Sequence, residues 1–417
     1  MTENVERLRA EIRACLPKTL PSRLGVAVSG GSDSVALLLL LNEIAQGAQV
    51  ELFAATVDHG LRPESEDEAR KVSTLAAGLG ITHQILKWKG WTGDGNLQDQ
   101  ARQARYRLLA EWANSNAISA IALGHTADDQ AETFLMRLGR AAGITGLSGM
   151  SNERNMNGVT LLRPVLGVTR QTLRDYLSGE RVDWIEDPSN QDLRFDRIKA
   201  RQALIDLAEL GITAKSLTRV AENLAQAREA LERFTQESAR KIAKVETGDV
   251  CLDRVAFQTL PKEIQRRLLV GCVAWIAGQG YPPRQTSVDQ AVKAVEDGSA
   301  TSIGGCLLVP QANKMWICRE LNAVQGETVR PGELWDRRWI LSGDSVADAQ
   351  IRPLGEEGLP RVPDWRSLGK PRKVLLASPA VWRADELISA PNAGFANGWS
   401  AELAVGTPEF HSSFLSH

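Results

Sequence analysis

Ser29-Gly30-Gly31-Ser32-Asp33-Ser34 is the stretch on which the fold turns. It follows a short apolar run, Leu24–Val28, and opens an apolar helical pattern that continues through Ile44. Buried strand, glycine turn and helix in that order begin a parallel α/β unit. Two glycines permit a tight turn whose backbone N–H groups converge on an anion, and the helix behind adds its positive N-terminal end. The hydroxyls of Ser29, Ser32 and Ser34 can donate to phosphate oxygens, so the loop suits pyrophosphate. No Gly-Lys-Ser/Thr follows, which excludes a Walker A loop, and the glycines lack Gly-x-Gly-x-x-Gly spacing. A carboxylate beside phosphates is repelled unless a cation intervenes, which marks Asp33 as a candidate Mg²⁺ ligand. Taken alone, the hexapeptide also fits an ordinary strand–helix turn capped by Asp33 or Ser32.

The alternation continues outward from this loop. Leu52–Val57 reads as a second strand, Glu64–Ala77 as a helix with acids in its first turn, and His83–Trp88 as a weaker third strand. Leu97–Asn114 is an amphipathic helix, Ile118–Leu123 a strongly apolar fourth strand, Leu161–Val165 a fifth, and Thr169–Leu177 a further helix. Two more polar loops follow strands: Asp58-His59-Gly60-Leu61-Arg62 and Gly124-His125-Thr126-Ala127-Asp128-Asp129-Gln130. Open α/β sheets bind ligands at the carboxyl ends of their strands, so His59 and His125 are candidate substrate contacts. Thr126 and Asp129 equally spell a capping box for a helix over Asp128–Leu138. Asp128 and Glu132, four apart, could simply complement the helix dipole. His83, inside a strand, reads as structural.

Near residue 200 the character changes. Ala214–Val245 has helical spacing almost throughout, and a mixed segment with an apolar helix at Arg266–Ile276 runs to about Glu320. Beyond Ala323, Gly, Pro and Trp dominate, with short strand-like pieces such as Trp339–Leu341 and Lys373–Leu376. The expected fold class is therefore α/β, a parallel-sheet domain over 1–205, followed by a helical middle region over 206–322 and a small, mostly β domain over 323–417. At about 150 residues per domain, 417 residues accommodate this division.

Composition narrows the function classes. Lys and Arg number 49 against 51 acids, so the chain is not a globally basic nucleic-acid binder, and any such surface is local. The longest apolar run, Val35–Leu41, is far short of the ~20 residues a bilayer crossing needs, and no signal-peptide pattern stands at Met1–Ala10. Five scattered cysteines without a Cys-x-x-Cys pair argue against a disulfide framework or a cysteine metal site. A cytoplasmic protein without membrane contact is expected. Two local basic stretches suit phosphate contact with base stacking. One is Trp335-Asp336-Arg337-Arg338-Trp339. The other is Arg361–Lys373, with five cations against Asp364. Charged strands are also commonly just solvated faces.

The phosphate loop resembles the signature of the N-type ATP pyrophosphatases, or PP-loop family. The wider set is similar, in order, to the tRNA(Ile)-lysidine synthetase family: Ser29–Ser34, Asp58–Arg62, Gly124–Thr133, Arg140–Met150, Arg163-Pro164 and Glu186-Asp187-Pro188-Ser189-Asn190. The resemblance is strong over about the first 200 residues. Where that family usually shows Arg-Asn-x-x-Arg, this chain has Phe195-Asp196-Arg197-Ile198-Lys199-Ala200-Arg201, so basic character survives and no role carries over to Asp196.

The resemblance implies a PP-loop catalytic domain that adenylates the wobble cytidine of the CAU-anticodon isoleucine tRNA, then joins free lysine to it, releasing AMP and pyrophosphate. It implies ATP binding by Ser29, Gly30, Gly31, Ser32, Asp33 and Ser34, with Mg²⁺ at Asp33. Asp33, Asp129, Glu132 and Arg140 are the expected catalytic residues, the acids steering the lysine ammonium or accepting its proton. His59, His125 and Glu186 are expected on substrate, and Arg372 and Lys373, in a C-terminal tRNA-binding domain, on the tRNA. A homodimer is carried as an expectation. A thiolase, the nearest rival, needs reactive cysteines near the site, and none stands between Cys15 and Cys251; a glutamine-dependent synthetase needs an amidotransferase nucleophile. A silent tRNA-binding protein on this scaffold is disfavoured by the intact acids.

Overall fold

The computed structural model describes residues 2–60, 64–89, 97–186, 194, 196–278, 283–404 and 409–415. Leu61, Arg62, Asp187, Pro188, Ser189, Asn190 and Phe195, all named above, lie outside the described residues. The chain divides into two compact units, one up to residue 228 and one from 229 onward.

The first unit is built on a six-stranded sheet. Its strands are β1 (Arg23–Ala27), β2 (Glu51–Asp58), β3 (Thr82–Lys87), β4 (Ala120–Leu123), β5 (Glu153–Met156) and β6 (Val159–Leu162), in the order β3-β2-β1-β4-β6-β5. Every pairing is parallel except β5 with β6, a hairpin at the edge. The sequence pattern did not disclose β5, whose residues Glu153-Arg154-Asn155-Met156 are mostly exposed and lack an apolar alternation. Helices are α1 (Thr2–Ala14), α2 (Ser32–Ala48), α3 (Ser65–Gly78), α4 (Leu97–Ser115), α5 (Ala127–Leu138), the single turn α6 (Ile144–Leu147), α7 (Arg170–Glu180) and α8 (Asp196–Leu207).

Both faces of the parallel sheet are covered, which is why its strands read as nearly continuous apolar runs. On one face Leu24, Val26, Leu52, Ala54 and Ala122 pack with Leu37, Leu38 and Leu40 of α2. On the other, Phe53, Ala55, Ile121 and Leu123 pack with Leu109 and Trp112 of α4. The α2 leucines are completely buried, and truncating one to Ala should cost roughly 2–5 kcal/mol. His83 is held inside the fold as the sequence suggested, its ring nitrogens meeting Thr56 Oγ1 at 2.9 Å and Ser73 Oγ at 2.7 Å.

Helix α9 (Ala214–Ile242) runs 29 residues and contains the boundary between the units. It stops three residues before Val245, because β7 (Ala243–Glu246) turns back through Thr247 and Gly248, both at positive φ, into β8 (Asp249–Asp253). Together with β9 (Thr301–Ile303), β10 (Cys306–Gln311) and β11 (Lys314–Arg319) these strands form an antiparallel sheet ordered β7-β8-β11-β10-β9. Helices Lys262–Ala277 and Gln285–Asp297 pack on it through Leu268, Leu269, Val288 and Ala291. The helical middle region thus carries its own sheet, within the segment whose pattern was mixed.

The C-terminal region is mostly β, with two three-stranded antiparallel sheets. One joins β12 (Leu334–Trp335), β13 (Trp339–Gly343) and the last strand; the other joins β14 (Ala349–Pro353), β15 (Pro379–Arg383) and β16 (Glu386–Ser389). The last strand is β17 (Trp399–Leu403).

Three expectations change here. Lys373–Leu376 is not a strand but part of a short helix, Arg372–Leu376, started by Pro371, whose carbonyl accepts the Val374 N–H at 3.0 Å. A short apolar run does not distinguish strand from buried helix by periodicity. Trp335, Arg338 and Trp339 are core residues, 1%, 4% and 6% exposed, and Asp336 is gripped by the Arg319 guanidinium. They cannot stack on an RNA base. Lys370 is also buried, its ammonium donating to Thr247 Oγ1 and the Glu246 carbonyl and facing Asp249. The basic stretch therefore offers four cations to solvent, not five.

Candidate functional site

The chain leaves β1 toward β2 on one side, while β4 returns to its other side. That reversal of strand order is a topological switch point, and a crevice opens beyond the carboxyl ends of β1 and β4. A cavity of about 420 Å³ lies there, bounded by Ser29, Ser32, Asp33, His125, Asp129 and Arg170, among others.

The phosphate loop is pre-shaped by its own hydroxyls. The Ser29 N–H donates to Ser34 Oγ at 3.1 Å, and the Ser34 hydroxyl donates to the Gly31 carbonyl at 3.0 Å. Gly30 sits at φ +88°, a conformation L side chains rarely adopt, and a Cβ there would lie 2.6 Å from Ile185 Cδ1. Gly31 is the N-cap of α2, and its carbonyl accepts the Ser34 N–H at 3.1 Å, which leaves the N–H groups of Ser32 and Asp33, both bordering the cavity, without intrahelical partners. Opposite, Gly124 lets the turn after β4 approach the first turn of α2.

The acids meet a set of arginines. Thr126 and Asp129 do form the capping box: the Thr126 N–H donates to Asp129 Oδ2 at 2.8 Å, and the Asp129 N–H to Thr126 Oγ1 at 3.4 Å. The other oxygen of Asp129 faces Arg170 at 3.7 Å and Arg197 at 3.6 Å. Capping and site geometry thus use the same residue. Burial raises the Asp129 pKa, but the Arg197 and Arg170 charges and the Thr126 N–H outweigh it, and the net shift is downward. Glu132 is completely buried beneath three guanidiniums, with Arg197 Nε and Arg201 Nε each at 2.9 Å and Arg170 Nη1 at 3.6 Å. Asp33 accepts from Arg170 Nε at 3.0 Å through one oxygen and from the Ser32 hydroxyl at 3.0 Å through the other. Burial lifts the Asp33 pKa above its ordinary value, with Arg170 opposing.

The expected residues fall into three groups. Asp33, Asp129, His125 and Glu186 border the cavity together with the phosphate loop. Burial, assisted by Arg163 and Arg197 and opposed by Asp129, pushes His125 down to about 4, so the imidazole is neutral. Its Nδ1 is buried without a hydrogen-bond partner. Glu186 faces Arg174 at 3.0 Å. His59 follows β2 and stacks edge-on against Trp88; burial, then Arg105, pushes it down to about 4. Glu132 stands apart from the expectation of direct lysine contact, because its oxygens are fully covered by the arginines. Arg140 is exposed and faces Asp196 at 3.6 Å. Arg372 and Lys373 belong to the second unit; Arg372 is paired with Glu356, Nη1 to Oε1 at 3.0 Å, and Lys373 is exposed.

Sequence reasoning missed Arg170 and Arg105. Arg170 follows Thr169, which caps α7, and the only signal for it was its place one residue inside a helix after a strand. Arg105 projects from α4 into the cavity, its charge disfavoured by burial and by Arg102 and Arg197. Among the described residues no cluster of three or more His, Cys, Asp or Glu forms a metal cage. Hard oxygen donors next to a phosphate loop suit a Mg²⁺ held mainly by phosphates, and Asp33 is the residue that fits. No helix among the described residues is long and apolar enough to cross a membrane.

Residues 4–208 match the PP-loop domain family. Over 417 residues, 100% of both chains, the protein is 52% identical to the tRNA(Ile)-lysidine synthase of Ruegeria pomeroyi. It is 33% identical over 388 residues to the tRNA(Ile)-lysidine synthase of Wolbachia pipientis, covering 90% of this chain and 89% of that one. It is 40% identical over 279 residues to that of Rhodopseudomonas palustris, covering 66% and 80%. A phosphate loop at the switch point, acids on the facing helix and similarity along the whole chain lead to one conclusion: the chain belongs to the tRNA(Ile)-lysidine synthase family, with a PP-loop domain at its amino-terminal end.

Proposed function

We propose that the protein joins free lysine to the wobble cytidine of the isoleucine tRNA bearing a CAU anticodon, using ATP, at the switch-point cavity. In the first step the cytidine O2 attacks the α-phosphorus of ATP. The new O–P bond replaces the bond to the β-phosphate, whose electrons leave with pyrophosphate. The loop N–H groups and the hydroxyls of Ser29, Ser32 and Ser34 receive the phosphates, where preorganised donors stabilise developing negative charge. Asp33 is the residue to hold a Mg²⁺, whose charge would offset that of the departing pyrophosphate. In the second step the lysine amine, having shed a proton, attacks C2 and AMP leaves.

Asp129, with one oxygen toward the cavity, is the acid to receive the ammonium or its proton. Glu132 acts behind it by fixing Arg197 and Arg201. Neutral His125 suits contact with an uncharged base, as does His59 at the parallel position after β2. Glu186 and Arg140 are assigned to the rim that meets substrate. Residues 1–205 are assigned as the catalytic domain, 206–322 as the middle domain and 323–417 as the tRNA-binding domain, with Arg372 and Lys373 on the tRNA backbone. A tRNA substrate places the work in the cytoplasm.

The observation that carries the reading is a phosphate loop facing a capped acidic helix across one cavity, in a chain 52% identical over its full length to a tRNA(Ile)-lysidine synthase. The test is mass analysis of nucleosides after incubation with ATP, lysine and unmodified isoleucine tRNA. Lysidine that depends on all three is expected. Unchanged cytidine would overturn it.

A further inference from the structure

Arg170 contributes three of its side-chain nitrogens to three different carboxylates. Its Nε lies 3.0 Å from Asp33 Oδ2, its Nη2 3.7 Å from Asp129 Oδ1 and its Nη1 3.6 Å from Glu132 Oε1. Asp33 belongs to the first turn of α2, after β1, and the other two acids to α5, after β4. Arg170 itself comes from neither, but from the segment after β6. We infer that Arg170 is a positioning residue that ties Asp33 to Asp129, so that the phosphate half and the amine half of the site keep one geometry.

The anchoring of its backbone supports this role. The Arg170 N–H donates to Asp128 Oδ2 at 2.7 Å, and the Ala127 N–H donates to the Val168 carbonyl at 2.9 Å. The first turns of α5 and α7 are thus clamped together, and the guanidinium starts from a fixed point. Arg197 also bridges Asp129 and Glu132, but among the described residues it forms no ion pair with Asp33. Without Arg170, two like charges would face each other over the cavity, and Asp33 would keep the Ser32 hydroxyl but lose its tie to Asp129. A planar fork suits three divergent acceptors, whereas a lysine supplies one point charge. Remote misplacement of a reacting group by about 1 Å can cost on the order of 10²-fold in rate.

The inference rests on the two-step reaction proposed above. Its test compares Arg170→Ala, Arg170→Lys and Asp33→Asn, singly and with Asp33→Asn combined with each Arg170 variant. Pyrophosphate release and lysidine formation are followed, with KM for ATP and lysine, ATP binding by calorimetry, and melting temperature. Arg170→Ala should lower kcat by on the order of 10²-fold in both readouts, with smaller changes in KM. Arg170→Lys should recover only part of that loss. Because Arg170 works through Asp33, the double variants should be little worse than the more damaged single variant. Additive losses, full recovery by Lys, or a loss matched entirely by lowered melting temperature would each overturn the positioning role. Should Arg170→Ala not fold, Arg170→Lys carries the same cycle. Wild-type protein that binds ATP yet yields no lysidine would refute the proposed reaction, while the cycle read through ATP binding would still judge Arg170.

Discussion

Gly124 stands so close to Asp33 that a Cβ at position 124 would lie 3.1 Å from the Asp33 carbonyl oxygen and carbon. The turn after β4 and the first turn of α2 are in close backbone approach there, and a residue without a side chain lets both sit at the cavity without displacement. The closeness of the two loops puts the Asp33 carboxylate within reach of an arginine that also meets Asp129.

Gly124→Ala should therefore push the two turns apart by a few tenths of an ångström. Overpacking of this kind typically costs ~1–3 kcal/mol. A lowered melting temperature with a raised KM for ATP is expected. Wild-type values for both would mean that the turns adjust without effect.

Asp33→Asn should impair Mg²⁺-dependent use of ATP. Loss of one charge-stabilising contact typically costs ~2.7–4 kcal/mol in the transition state. The carboxamide keeps the size and a partner for Arg170 Nε, so folding should persist. Pyrophosphate release at matched Mg²⁺ is the measurement, and an unaltered rate would remove Asp33 from the chemistry.

Asp129 and Glu132 should respond differently to alanine. Asp129→Ala should raise the lysine concentration needed for turnover while leaving tRNA binding intact. Glu132→Ala removes a fully buried carboxylate from three guanidiniums and should destabilise the fold by about 3 kcal/mol, because uncompensated charge is left behind. Thermal melts beside lysine titrations separate the two, and identical behaviour of both variants would overturn the division.

Acid should weaken the fold through its histidines. His59 and His125 titrate near 4 in the folded chain, against an ordinary 6.5. Between those values the unfolded chain binds more protons, so unfolding free energy falls as pH drops. The two contributions are intact above pH 6.5 and are lost as pH falls to about 4, at no more than ~1.4 kcal/mol per pH unit for each histidine. Denaturant titrations at pH 7 and 5 should show a shallower dependence in a His59→Gln, His125→Gln double variant. An equal dependence would assign acid sensitivity to other groups.

Recognition of tRNA should carry a salt signature in the second unit. Each phosphate-contacting cation removed should lower the log–log salt slope by roughly 0.7–0.9. Arg372→Ala with Lys373→Ala should weaken binding and flatten the slope. Because Arg372 is paired with Glu356, Lys373 should account for most of the change. Filter binding at several salt concentrations reads it. A slope equal to wild type would move the contact elsewhere, with Arg194–Arg201 next to be tested.

The sequence by itself determined the five parallel strands of the first half and most of the helices between them, though not the exposed edge strand β5, together with the phosphate loop and the capped acidic turn. Those features are written in consecutive residues: an apolar run, two glycines, Thr126 three residues before Asp129. The second half yielded less, because Leu375 and Leu376 make a helix as readily as a strand, and arginines between two tryptophans look alike in sequence whether those rings are buried or bare. Only the tertiary structure decided which charges belong to the site. Arg170 finds Asp33 across 137 residues, and Arg197 and Arg201 find Glu132 across 65 and 69. Lys370, one cation among five in the sequence, is withdrawn to Thr247 across 123 residues. The physical reason is that periodicity and turn chemistry act over a few neighbouring residues. The pairing and burial of a charge instead depend on which distant segments the core brings into contact.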